Sequence, residues 1–317
     1  MPLVALPQVL LAKTESIYKT DASPTGAANA ILLRDDPTLT PIAINTDERS
    51  NAKAFFGHNQ QLVSAVYRKL SFSVELGGCG TPLGAAAPYS HLLKACGFNQ
   101  TLVATTSCSH APITSGIDSL TFYFWIRDKK YIMVGARGTV KFSFQAGKIP
   151  LMMFEFTGLL PAANDVVDDT GYGGALTLTA WKQPQPVNFA NTSAFSLHGF
   201  GSVELYSMEI DMANQVVYRN LPNAEDVVIT GRQPTASIKI AEPTLAQKNY
   251  FTNMKGAVLD VLSLTHGVGA GNIISLSAPK SQLNDLSQGD QDNVGTLDGK
   301  LRLLPNSGND EFVATLT

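Results

Sequence analysis

The sequence predicts a mainly β protein, a sandwich or small barrel built twice over, with few helices. Three observations carry that expectation. Residues 139–158, TVKFSFQAGKIPLMMFEFTG, alternate apolar and polar side chains on both sides of a glycine turn, which is the period of a half-buried hairpin. Many other short alternating runs, separated by turn residues, occur along the 317 residues, a spacing that indicates a sandwich or barrel. The order strand, helix, hairpin recurs in the second half.

The elements follow in chain order. MPLVALPQVLLAKTES has a short apolar run broken by prolines, with no basic segment before it, and reads as an arm in place of a signal peptide. Residues 45–61 are a long polar stretch with an aromatic pair inside; loops of that length in compact domains are functional or disordered. Leu70, Phe72, Val74 and Leu76 alternate as a strand. A helix is predicted over 88–97, with Pro88 in its first turn, Leu92, Leu93 and Cys96 on its inner face, and Gly97 as C-cap. The β-favouring run 120–126 turns at Asp128-Lys129. In the 139–158 hairpin, Val140, Phe142 and Phe144 share one face, as do Met152, Phe154 and Phe156. Leu176 and Leu178 alternate with threonines before Trp181 and predict a strand. Others are predicted from Val203 and Leu205, and at Ile238 and Ile240. A second helix is expected over 244–254 with Thr244 as N-cap. Further strands follow at Ile274 and Leu276, at Leu301 and Leu303, and at Phe312, Ala314 and Leu316.

SFSVELGG before the first helix matches ASIKIAEPT before the second. A shift of 132 places lays Val140, Phe142, Phe144 and Ala146 over Asn272, Ile274, Leu276 and Ala278. The expected organisation is therefore a first domain over 1–162, a polar, glycine-rich linker over 163–174, and a second domain over 175–317.

Composition narrows the function. Charged residues make up only 15%, against roughly 25% in an average soluble domain; a surface short of charge suits repeated self-association. A net charge of −3 argues against tight phosphate-backbone binding. Three cysteines, Cys79, Cys96 and Cys108, show no paired spacing, which fits a reducing cytoplasm. No apolar stretch approaches a membrane-spanning length.

The search for reactive chemistry predicts no catalytic, cofactor or metal site. Cys79, His91, Cys96, Cys108 and His110 lie close in sequence but match no zinc-ligand spacing, and buried cysteine as a small hydrophobe is the simpler reading. Cys108-Ser-His110 puts thiol and imidazole on one strand face without the context of an activated nucleophile. GVGAG at 267–271 lacks the later glycine and the helix of a dinucleotide loop. The acidic pairs at 168–169 and 290–292 lack calcium-loop grammar.

Four segments together resemble the tail tube (major tail) proteins of long-tailed, siphovirus-type bacteriophages: ESIYKTDASPTGAANAILLRDD, LSFSVELGGCGTPLGAAAPYSHLLKACGF, GARGTVKFSFQAGKIPLMMFEFTGLL and GRQPTASIKIAEPTLAQKNYF. The resemblance implies tandem sandwich or small-barrel tube domains, each with a flanking helix. It implies rings stacked into a tube, in the virion tail, made in the host cytoplasm. A tape-measure protein and then viral DNA would occupy the channel, with tail terminator and baseplate proteins at its ends and no membrane partner. A tube domain needs only about half of this chain, so a trimeric ring with pseudo-sixfold symmetry is expected. Asp47, Arg49, Phe55, Phe56 and His58 are then expected between subunits. Val140, Phe142, Phe144, Ile274 and Leu276 are expected in the channel sheet, with Phe142 and Ile274 equivalent. The alternatives are a carbohydrate- or receptor-binding β-sandwich and a capsid or capsid-decoration protein.

Overall fold

The computed structural model describes residues 8–161 and 171–317. Strand β1 (Val9–Thr14) is followed by one helical turn α1 (Gly26–Asn29), strands β2 (Thr38–Glu48) and β3 (Gln61–Glu75), and helix α2 (Ser90–Ala95). Short strands β4 (Thr101–Val103) and β5 (Ser107–His110) precede β6 (Leu120–Ile126), the long β7 (Lys129–Gln145) and β8 (Leu151–Leu159). The second half holds β9 (Thr192–Leu197), β10 (Leu205–Asp211), β11 (Asn214–Leu221), β12 (Ala224–Arg232) and β13 (Thr235–Ala241). Helix α3 (Tyr250–Lys255), β14 (Leu259–His266), β15 (Ile274–Gln291), β16 (Val294–Leu304) and β17 (Val313–Leu316) complete it. The protein is mainly β, as its periodicity predicts.

One pairing scheme occurs twice. β3 pairs with β8, β8 with β7, β7 with β6 and β6 with β1; likewise β13 pairs with β16, β16 with β15, β15 with β14 and β14 with β9. The registers agree residue by residue. Leu70, Phe72 and Val74 face Phe156, Phe154 and Met152, and Ala236, Ile238 and Ile240 face Leu301, Gly299 and Leu297. Just beyond these pairs, Leu76 donates its N–H to Pro150 at 2.9 Å and Glu242 donates its N–H to Gly295 at 2.9 Å. The first set runs from β1 to β8 and the second from β9 to β16.

The two sets join edge to edge. Strand β10 pairs with β13 on one side and with β7 on the other, giving the continuous order β2-β3-β8-β7-β10-β13-β16-β15. The long strands β7 and β15 run from this sheet into a second layer, where they meet β6 and β14. Between the layers lies one apolar core that includes residues of both halves, from Leu10 to Leu316. Phe98, Phe142 and Phe312 meet there, with ring centroids 5.1–6.5 Å apart, and β17 pairs with β5. The halves therefore share a core. Of the expected linker, 163–170 lie outside the described residues, and 171–174 form no strand.

Glu15 fastens the second layer of the first set. Its carboxylate accepts from the hydroxyls of Ser119 and Thr121 and from the N–H groups of Gly135 and Lys19, at 2.6–2.9 Å. Gly135 reaches this acceptor at φ +60, where Tyr18 would crowd a Cβ at 3.1 Å. A buried carboxylate with four donors holds strands together without needing a counter-charge.

Several local expectations are corrected. Residues 9–14 are no arm: β1 pairs with β6 along its length, and Leu10, Leu11 and Ala12 are at most 1% exposed. The burial gained by VLLAKT outweighs any tendency of the prolines before it to keep the segment free. Leu176 and Leu178 lie in irregular chain; Leu178 packs beside Trp125 and Tyr172 without a strand partner. α3 starts later than predicted, because Asn249 accepts from the Thr252 N–H and supplies the cap, while Thr244 heads a separate turn. The tight turn after β6 uses Arg127 and Asp128, both at positive φ.

Candidate functional site

Among the described residues the feature that stands out is a surface. The eight-strand sheet buries one face in the core and presents the other. On the presented face, strand alternation sets out Ser71, Ser73, Thr139, Ser143, Ser207 and Ser237, among others. Several of its charges are matched across strands. Lys141 sits 3.0 Å from Asp211 and 3.9 Å from Glu209, Lys69 sits 3.9 Å from Glu155, and Lys300 sits 3.4 Å from Asp285. The hydrogen bond to Asp211 raises the Lys141 pKa. Such a face offers hydroxyls and neutral ion pairs, and it carries no uninterrupted basic stripe to grip phosphate.

Both borders of this sheet are open among the described residues. Strand β2 pairs only with β3. Strand β15 spends residues 274–282 on β14 and 280–291 on β16, so its far end has no partner on the β14 side. Unpaired strand edges are templates for strand addition.

The residues expected between subunits, Asp47, Arg49, Phe55, Phe56 and His58, all lie exposed at the distal end of the β2–β3 hairpin. Phe55 is 74% and Phe56 105% exposed. The hairpin end is tied by Arg49 N–H donating to Gln60 at 3.1 Å and Lys53 Nζ donating to the His58 carbonyl at 2.7 Å. Ile42, Ile44, Leu62 and Val63 leave further apolar surface along the same hairpin.

The residues expected in the channel sheet divide. Val140, Phe142 and Phe144 do lie on β7, yet their side chains are at most 1% exposed and point into the core. Ile274 and Leu276 are equally buried, at the β14- and β17-paired end of β15. Phe142 and Ile274 are not equivalent. Phe142 faces Met152, Met152 corresponds to Leu297 through the registers above, and Leu297 faces Gln288. Sequence alternation matched the phase of the strands but not their alignment.

The cysteines and histidines of residues 79–110 lie largely inside the fold. All three thiols are buried, and burial pushes the Cys96 thiol well up. His110 Nε2 lies 3.0 Å from the Ser90 hydroxyl; desolvation lowers its pKa to about 4. Among the described residues no three His, Cys, Asp or Glu side chains are placed to hold a metal ion, and no helix is long and apolar enough to cross a membrane.

Sequence reading missed the β11–β12 hairpin, which folds over the outer side of the first set. Tyr218 stacks on Tyr67 at 4.9 Å and donates to the Val66 carbonyl. Val227 is fully buried beside Val134 and Leu159, and Arg137 donates to its carbonyl at 2.7 Å. Its signal was present as VVYRNLPNAEDVVIT, two β-rich runs about a Pro-Asn turn.

No protein-family model matches the chain, and no curated protein matches it closely enough to count as a relative.

Proposed function

We propose that this chain is the structural subunit of a bacteriophage tail tube, self-assembling into stacked rings that form a channel for genome delivery. The observation that carries the reading is the eight-strand sheet: one pairing scheme used twice, joined side by side, with a charge-paired hydroxyl face and two open borders. Three copies would set six such units round a ring, the pseudo-sixfold trimer, and closure pairs both open borders of the sheet. The presented face would then line the channel. Its matched charges let a tape-measure protein or linear DNA pass without a binding site, and the exposed Phe55-Phe56 end would reach the adjacent ring. Head-to-tail stacking is non-closing and makes a filament; terminator and baseplate proteins would cap it.

The binding-module alternative wants aromatic side chains in an exposed groove. Trp125 is 9% exposed, and Trp181 is half-buried with its indole N–H donating to the Ala30 carbonyl at 3.1 Å, so neither offers a platform. Negative-stain electron microscopy of the purified protein tests the reading. Hollow tubes of uniform width are expected; monomers at high concentration, spikes or closed shells would reject it.

A further inference from the structure

Two features of the second set lack what their counterparts in the first set have. In the first set, the end of β7 is covered at its edge by β10: Lys141, Phe142 and Ser143 face Asp211, Ile210 and Glu209. The corresponding end of β15, Ser287 to Gly289 by the shared register, is bare among the described residues. In the first set Thr157 and Leu159 lie buried beneath the β11–β12 hairpin. Arg302 and Leu304 hold those places in the second set, and there they line an open groove of about 700 Å³ with Gln233 and Asn284.

The first set holds the matching surplus. β10 continues into β11, and β12 into β13, as one long hairpin whose base pairs with β7 and whose far half covers the first set. The β2–β3 hairpin is its counterpart, because Leu39 faces Leu70 as Ile210 faces Ala236. Its base offers a free edge. Its far half carries Ile42, Ile44, Leu62 and Val63 at 45–56% exposure. Asp47 and Glu48 at the end of β2 complement Lys300 and Arg302 in the groove.

We infer that the contact between copies of this chain repeats its own internal junction. The β2 edge of one copy pairs antiparallel with the end of β15 on the next, with Thr40 opposite Ser287, Leu39 opposite Gln288 and Thr38 opposite Gly289. The β2–β3 hairpin of that copy then lies in the groove over Arg302 and Leu304. This deepens the tube reading and rests on it, naming the self-contact that the ring requires. Pro37, next along the edge, brings a carbonyl but no N–H, and a proline on an open edge limits indiscriminate strand addition.

Disulfide trapping tests the register. Thr40 and Ser287 are both exposed, so the double variant Thr40→Cys/Ser287→Cys leaves the core untouched. Mild oxidation should give covalent oligomers that stop at a closed trimer. A mixture of the two single variants should give heterodimers only. Moving one partner to Ile44→Cys, about 13 Å along the strand, should abolish the bond. The pair Ser143→Cys/Glu209→Cys, opposite each other in the internal junction, should close within one chain and serves as the positive control. Tubes in the microscope without Thr40–Ser287 linkage would overturn the register while leaving the tube reading intact. Monomers without linkage would overturn both.

Discussion

Strands β7 and β15 hold the same place in the two sets, yet their ends are built from opposite chemistry. β7 ends in Phe142 and Phe144, both at most 1% exposed, with β10 along its edge. β15 ends in Gln288 and Asp290, both exposed, with no strand on that side among the described residues. A strand whose neighbour is tethered in the same chain can be greasy, because the neighbour is always present. A strand that must wait for a separate molecule is safer polar, since an exposed apolar edge invites aggregation.

The largest test of that contrast is truncation at equivalent places. Phe142→Ala should cost about 3–5 kcal/mol, the usual range for emptying a well-packed aromatic site. Gln288→Ala should stay within about 0.5 kcal/mol, as surface changes do. Urea unfolding of both variants measures the difference, and equal losses would break the comparison.

Next comes pH. His110 faces Ala314 where β5 meets β17, so it sits at a contact between the halves. Its folded pKa of about 4 lies below the ordinary 6.5 because burial disfavours the charged ring. Between those values the unfolded chain binds the extra proton. The His110 contribution to stability is therefore full above about pH 6.5 and falls by about 3 kcal/mol as pH drops to about 4. His110→Gln should remove that contribution. His91, lowered to about 4 chiefly by its own burial, should leave a slope of its own over the same pH range.

Smaller still is the charge pairing on the presented face. Lys141→Ala removes pairs with Asp211 and Glu209 that are open to solvent, so stability should change by less than about 1 kcal/mol. The smallest effect on stability belongs to the far end of the β2–β3 hairpin. Deleting residues 50–59 should leave a soluble protein with an unchanged unfolding midpoint, since Phe55 and Phe56 touch no core, yet it should form no tubes. Tubes of normal length from that deletion would show the hairpin end to be dispensable for assembly.

Much of the fold was legible because alternation reports which side of a strand is buried. Val140, Phe142, Phe144, Ile238 and Ile240 all face the core as their spacing implies. What alternation cannot report is alignment between distant strands, which is why Phe142 matched Ile274 in sequence but Gln288 in register. Nor can it report tertiary rescue. VLLAKT at 9–14 is too short to declare itself, and only β6 beside it makes it a strand. Leu176 and Leu178 alternate as well as any strand but find no ladder.

The order of amino acids already sets the mainly β character, the places where most strands turn, and the apolar faces of β3, β7 and β8. Those properties are local, set by side-chain period and by residues such as Gly147 that tolerate positive φ. Long-range packing is what gives the two sets one core, sets β10 on the edge of β7, and leaves β15 and β2 open among the described residues. Pairing between strands far apart in the chain depends on which edges the rest of the fold brings within hydrogen-bonding distance. No window of sequence holds that information.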